Sequence, residues 1–259
     1  MWESKKQEWI NKKKDYKPIF SYNSDITKNA YLNWRMDQHD QRHNFNTIAK
    51  GYMDASLKLA EVCLKDNSNK IADELIFPML FNADHAIELY LKSIMWSLHW
   101  LLDSTETYSG GHDIRQLFQT VRVLVEDFCD KYKIDTVAEF KSQTENLEQY
   151  IDELYLILHP DNNGRPTKKE NLDFSRYPMQ SDKKSPYFYA EQTWDNKTVD
   201  LTNYVIRFRE IGSNLDSIAG YFDYELDQKL DYEAEMQREY ESEMAAEYAR
   251  DVYNIGYYW

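Results

Sequence analysis

Residues 81–102, FNADHAIELYLKSIMWSLHWLL, limit the possible folds more than any other stretch of the chain. They contain no glycine or proline, and their apolar side chains recur at helical spacing, so they read as one long helix. At about 100° per residue, Leu80, Ile87, Leu91, Ile94, Leu98 and Leu101 gather on one face. His85, Glu88, Lys92 and His99 gather roughly opposite. The flanks carry Ala86, Leu89, Tyr90, Met95 and Trp96, so the helix is apolar nearly all round, as a central helix is. Three readings of the polar line follow: a solvent face with a Glu88–Lys92 pair, a buried structural network, or a functional site.

The rest of the chain supplies partners for such a helix. Ile48, Tyr52, Ala55, Leu59 and Val62 mark an amphipathic helix that ends near Asp66-Asn67. The central helix opens near Ile71 and carries Pro78 early, where a kink is expected. After a turn at Tyr108-Ser-Gly-Gly111, Ile114, Leu117, Val121, Leu124 and Phe128 form a third helix, with His112 or Asp113 as its N-cap. A fourth begins at Thr136-Val-Ala-Glu139, which has capping-box spacing, and runs to Leu158. A fifth runs from Asp200 to Phe222. With glycine at 7 and proline at 6 in 259 residues, a mostly helical fold is expected over a turn-rich sandwich. Residues 160–199 interrupt the helices with Pro166, Pro178 and Pro186, and YFYAEQTWDNKT suggests a small hairpin.

Charge is distributed unevenly. The net is −14, of which −8 falls in residues 221–259. An acidic surface repels phosphate backbones, which disfavours broad, sequence-blind nucleic-acid binding. From about Lys229 an acidic helix carries Tyr232, Met236, Tyr240, Met244 and Tyr248, each four residues after the last. That row suits a partner's groove or a dimer seam, or packs on its own domain. Cys63 and Cys129 lie far apart in apolar helical patterns and form no CxxC motif or disulfide framework. The N-terminal segment lacks an apolar run, and the central helix is broken by Asp84, Glu88 and Lys92, so a cytoplasmic protein with no membrane span is expected.

FPMLFNADHAIELYLKSIMW, then GHDIRQLF after the Gly-Gly turn, and later DFSRYP, together resemble a bacterial branch of the HEPN-like helical domains. The likeness spans roughly residues 44–225, leaving 1–43 as a polar, basic extension and 226–259 as an acidic striped helix. It implies an up-and-down bundle of four to five helices, often dimeric. It also implies a role in bacterial defence or toxin systems, as a metal-independent endoribonuclease or as a catalytically inactive interaction subunit of a defence complex. In the active members, Arg and His with four to six residues between them supply the chemistry: imidazole moves the 2′-OH proton and guanidinium steadies phosphate charge. Here no Arg precedes His at that spacing; Arg35-Met-Asp-Gln-His39 is one residue short.

Two other arrangements follow from the residues. Bundle folding could bring His85 and Glu88 beside His112 and Arg176 as a displaced acid–base site, or Glu88 and Arg176 could form a buried ion pair holding the RYP loop. His39 and His43, at i and i+4 among Asp37 and Asp40, have metal-ligand spacing if they lie on one helix, and the competing reading is an exposed polar helix. Metal ligands and cofactors are not part of the expectation. Lys168, Lys169, Lys183 and Lys184, with Tyr177, offer cations and a ring for single-stranded RNA, or form a solvated loop. Ser109-Gly-Gly-His112 lacks the strand–turn–helix setting of a nucleophile elbow.

Overall fold

The computed structural model describes residues 17–108, 110–165, 172–180, 182, 187 and 197–256, with side chains as far as Arg250. The chain falls into two units, Met1–Met36 and Asp37–Trp259. Within the first, residues 17–36 hold one short 3-10 turn, Ile26–Lys28, capped by the Asp25 side chain. Ile19, Phe20, Leu32 and Trp34 there are exposed.

The second unit is an all-helical bundle: α1 (Gln41–Lys65), α2 (Ala72–Leu101), α3 (Ile114–Tyr132), α4 (Val137–Leu158) and α5 (Leu201–Gly256). No strand occurs among the described residues, and the hairpin suggested by YFYAEQTWDNKT falls almost wholly outside them. α2 is the central element, packed against α1, α3, α5 and a 3-10 turn at Asp173–Ser175. Its core face is fully buried at Met79, Ile87, Leu91 and Leu98, and Glu88 and Lys92 on the other side are buried as well. α4 completes the bundle against α3 and α5. The short connections 66–71 and 133–136 make their helix pairs antiparallel. No described helix is long and apolar enough to cross a membrane.

Helix ends follow local chemistry. Asp40 caps α1, its carboxylate accepting from Arg42 N at 2.9 Å and His43 N at 3.2 Å. Asp113, rather than His112, caps α3 through Gln116 N at 3.0 Å. Thr136 starts α4 but makes no side-chain cap; its hydroxyl lies 3.3 Å from Cys129 Sγ instead, so the expected capping box does not form. The largest difference from the sequence reading is at the C-terminus. The fifth and tail helices are one continuous helix, because Asp223–Lys229 contains no breaker and Leu226 is still fully buried. α1 and α5 approach closely where Gly212 faces Met53: a Cβ there would lie 2.7 Å from Met53 Cγ.

Arg42, buried at the start of α1, ties that end of the bundle together. It pairs with Asp40 at 3.0 Å, with Asp227 at 3.3 Å and with Asp223 at 3.8 Å, the last two on α5. Asp223 also accepts from Ser97 on α2 and Asn46 on α1.

Asp84 is a second buried ionisable group. One oxygen accepts the Tyr150 hydroxyl; the other is buried without a hydrogen-bond partner. Burial pushes its carboxyl up to about 7, and the Tyr150 bond offsets only part of that. The unfolded chain ionises this group near 3.8, so between the two values the folded state holds the extra proton. Stability therefore falls as pH rises through that window and stays lower above it. Asp84→Asn removes the titration. Denaturant unfolding from about pH 4 to about pH 8 should show the variant gaining on the wild type by a few kcal/mol; a difference independent of pH would contradict this account.

Candidate acid–base site

His85 and Glu88 lie one turn apart on α2, and Lys92 lies one turn beyond Glu88, so all three project to one side. His112 arrives from the segment leading into α3, immediately before the Asp113 cap. Glu88 is the hub. One of its oxygens accepts from Lys92 Nζ at 2.7 Å and lies 2.9 Å from His112 Nδ1. The other lies 3.5 Å from His85 Nδ1. Glu88 and Lys92 are buried, whereas the His112 side chain is 55% exposed and that of His85 28%. The arrangement is thus a buried ion pair that anchors two imidazoles at the surface.

Burial opposes ionisation of Glu88, but bonds from His85, Lys92 and His112, with the Lys92 charge, outweigh it and hold the carboxyl at about 2. At His112 the carboxylate on Nδ1 at 2.9 Å fixes the ring and its tautomer, leaving Nε2 as the nitrogen available for proton transfer, while His85 Nδ1 at 3.5 Å makes the longer contact. With both rings neutral the cluster carries no formal charge; a proton on either ring makes it positive, which suits an anionic substrate.

Aromatic rings enclose the cluster. His85 stacks on Phe81 at 5.7 Å and meets Tyr52 edge-on at 4.6 Å. Lys92 Nζ sits 5.5 Å from the Tyr108 ring centre, and Tyr108 packs with Phe45 and Trp96. Arg176 approaches the same shell through Phe81, 5.6 Å from its ring centre, and lies 5.7 Å from that of Tyr177. Its position follows from the preceding turn. Leu172 takes a left-handed backbone (φ 53°) with its side chain buried, and Phe174 is buried too, so residues 172–175 are pinned against the bundle.

Several sequence expectations change here. Arg176 pairs with Asp173, and Glu88 is satisfied by Lys92 and the histidines, so the anticipated Glu88–Arg176 ion pair is replaced by two separate pairs. The solvent-face reading of the polar line fails at Glu88 and Lys92. His99 belongs elsewhere, 3.8 Å from Glu106. His39 and His43 do not share a helix face, because the helix starts at Gln41, between them. Among the described residues, no group of three His, Cys, Asp or Glu side chains is arranged to hold a metal ion. Tyr177 is exposed, while Lys168, Lys169, Lys183 and Lys184 lie outside the described residues.

The sequence reading missed most of the aromatic shell. Phe81 was detectable in principle, since it stands four residues before His85; Tyr52, from α1, has no such signal. No protein-family model, curated protein or solved structure matches this chain. The fold and site together define an all-helical bundle with two histidines gathered on one buried carboxylate.

Breaking the Glu88–Lys92 pair leaves one charge buried and alone. Glu88→Gln or Lys92→Met should each cost about 3 kcal/mol in denaturant unfolding, and the double variant less than the sum. Because the Glu88 pKa is depressed in the fold, its contribution is complete above the ordinary 4.5 and is lost as pH falls towards about 2. Glu88→Gln should therefore lack that acid-limb loss, and strictly additive costs with an unchanged acid limb would contradict the hub.

Proposed function

We propose that the chain is a HEPN-like component of a bacterial defence or toxin system that acts on RNA through a displaced, metal-independent site. The observation that carries this reading is the single carboxylate of Glu88 anchoring two partly exposed imidazoles through Nδ1. That arrangement supplies what ribonucleolysis by internal transesterification needs. One neutral imidazole takes the 2′-OH proton as that oxygen attacks phosphorus. The other, protonated, gives its proton to the departing 5′-oxygen. Arg176, next to the shared Phe81 ring, is positioned to offer charge to a phosphate, and the exposed Tyr177 ring offers a stacking face.

A second reading rests on a different observation. Tyr232, Met236, Tyr240, Met244 and Tyr248 are all exposed on the outer part of α5, which favours a catalytically inactive, partner-binding subunit.

Incubating cellular RNA with the full chain in EDTA separates the two. The first reading expects discrete fragments, a bell-shaped rate–pH profile, and losses of about 100-fold or more in His85→Ala and His112→Ala, with a smaller loss in Arg176→Ala. The exposed His112 and Arg176 make those two variants safe for folding. Intact RNA from folded wild type would reject the enzyme and leave the binding subunit.

A further inference from the structure

Past Leu226, its last buried residue, α5 continues to Gly256, and every described side chain from Leu230 to Arg250 is exposed. This outer portion is patterned in rows four residues apart. Tyr232, Met236, Tyr240, Met244 and Tyr248 form one row. Asp231, Glu235, Glu239, Glu243 and Glu247 form the row beside it, with no break in charge. On the other flank stand Glu233, Gln237, Glu241 and Ala245, while Arg238 lies opposite Met236 and Tyr240. Rows of i, i+4 residues are the ridges of a helix surface, so the arm presents an apolar ridge with an acidic ridge alongside; both wind about 40° per step over about 24 Å, with Met236, Tyr240 and Met244 closest to one face.

This charge order selects against self-pairing. Flanking residues decide which helices pair and in which direction. In an antiparallel pair of copies, each acidic row would face the other copy's acidic row. In a parallel pair it would face the Glu233–Glu241 flank. At the middle of the ridge neither arrangement brings a cation to the seam, since Arg238 lies on the opposite side of the helix from Met236 and Tyr240.

We propose that the outer half of α5 is a docking arm for a basic amphipathic helix of a partner protein, with an apolar ridge flanked by Lys or Arg. The apolar ridge supplies burial, and the acidic row supplies orientation and salt sensitivity. Binding also relieves the repulsion among acids at i, i+4 spacing. The inference deepens the partner-binding reading and is independent of the His85–His112 site, so failure of RNA cleavage leaves it standing and its own failure leaves the site standing.

The full chain can be titrated by fluorescence anisotropy with three labelled peptides of one length: Lys/Leu amphipathic, Lys/Ser of equal charge, and Glu/Leu. The Lys/Leu peptide should bind best, at least tenfold more tightly than the Lys/Ser peptide, and should weaken with added salt. M236Q/Y240Q/M244Q and E235Q/E239Q/E243Q should each reduce its affinity tenfold or more. These side chains are exposed and glutamine keeps the helix, so circular dichroism should not change. Equal binding of the Lys/Ser peptide, or indifference to the apolar-row variant, would overturn the proposal. So would a stable dimer of the chain that M236Q/Y240Q/M244Q converts to monomer, because the occupant would then be a second copy.

Discussion

The rest of the bundle depends on how α2 is buried. A helix apolar on nearly every side can only sit at the centre, and there its two interior charges must neutralise each other. Glu88 and Lys92 do so, at 2.7 Å. Exchanging such a pair for apolar residues of similar volume is often neutral, so its value here lies in what it positions rather than in net stability. Glu88 holds His112; the next residue, Asp113, caps α3 and accepts the Tyr155 hydroxyl of α4 at 2.6 Å. Arg115, the second residue of α3, reaches Asp152 and stacks 4.2 Å from the Tyr155 ring centre. One polar line thus runs from the central helix through the start of α3 to α4, and the surface histidines are its outer end.

Asp84 and Glu88, one turn apart on the same helix, show how far surroundings decide chemistry. Asp84 receives a single phenol and is driven up to about 7 by burial. Glu88 is also desolvated, yet an ammonium and two imidazoles hold it at about 2. The count of donors explains the opposite signs. Carboxyls driven apart in this way are a pattern found in acid–base sites. Of the two, Glu88 is the one that touches imidazoles, one of them, His112, more than half exposed. Asp84 faces Tyr150 inside the bundle and is a cost of the fold rather than part of the surface cluster.

Much of this was legible because it is encoded locally. The all-round apolarity of residues 81–102 placed α2 at the centre, and i, i+3 and i, i+4 spacing put His85, Glu88 and Lys92 on one side. The Gly-Gly turn placed His112 beside them. What was hidden depends on register between helices. Tyr52 meets His85 only through the α1–α2 packing, and Arg42 is buried only because Asp223 and Asp227, far along the chain, turn towards it. Arg176 was anticipated on Glu88, but its nearer acid, Asp173, sits on the same turn and needs no long-range closure to reach it. Thr136 was read as half of a capping box, a local rule that a tertiary contact with Cys129 displaced.

The continuous α5 follows from the cost of helix initiation. A separate tail helix would have to form its own nucleus in water, which is unfavourable, whereas extension from an ordered turn adds a hydrogen bond for each residue fixed. Residues 201–226 supply that ordered turn, with Tyr204, Phe208, Leu215 and Phe222 in the core. Lys229 adds to it by bonding the Trp100 carbonyl at 2.7 Å and the Asp103 carboxylate at the end of α2. Beyond that point, Glu, Gln, Met, Ala and Arg are strong helix formers, while the adjacent acids repel one another. Propensity and a ready-made nucleus favour the helix; charge opposes it. The apolar row is exposed along its described length and adds only its i, i+4 Tyr–Met pairs, a few tenths of a kcal/mol each.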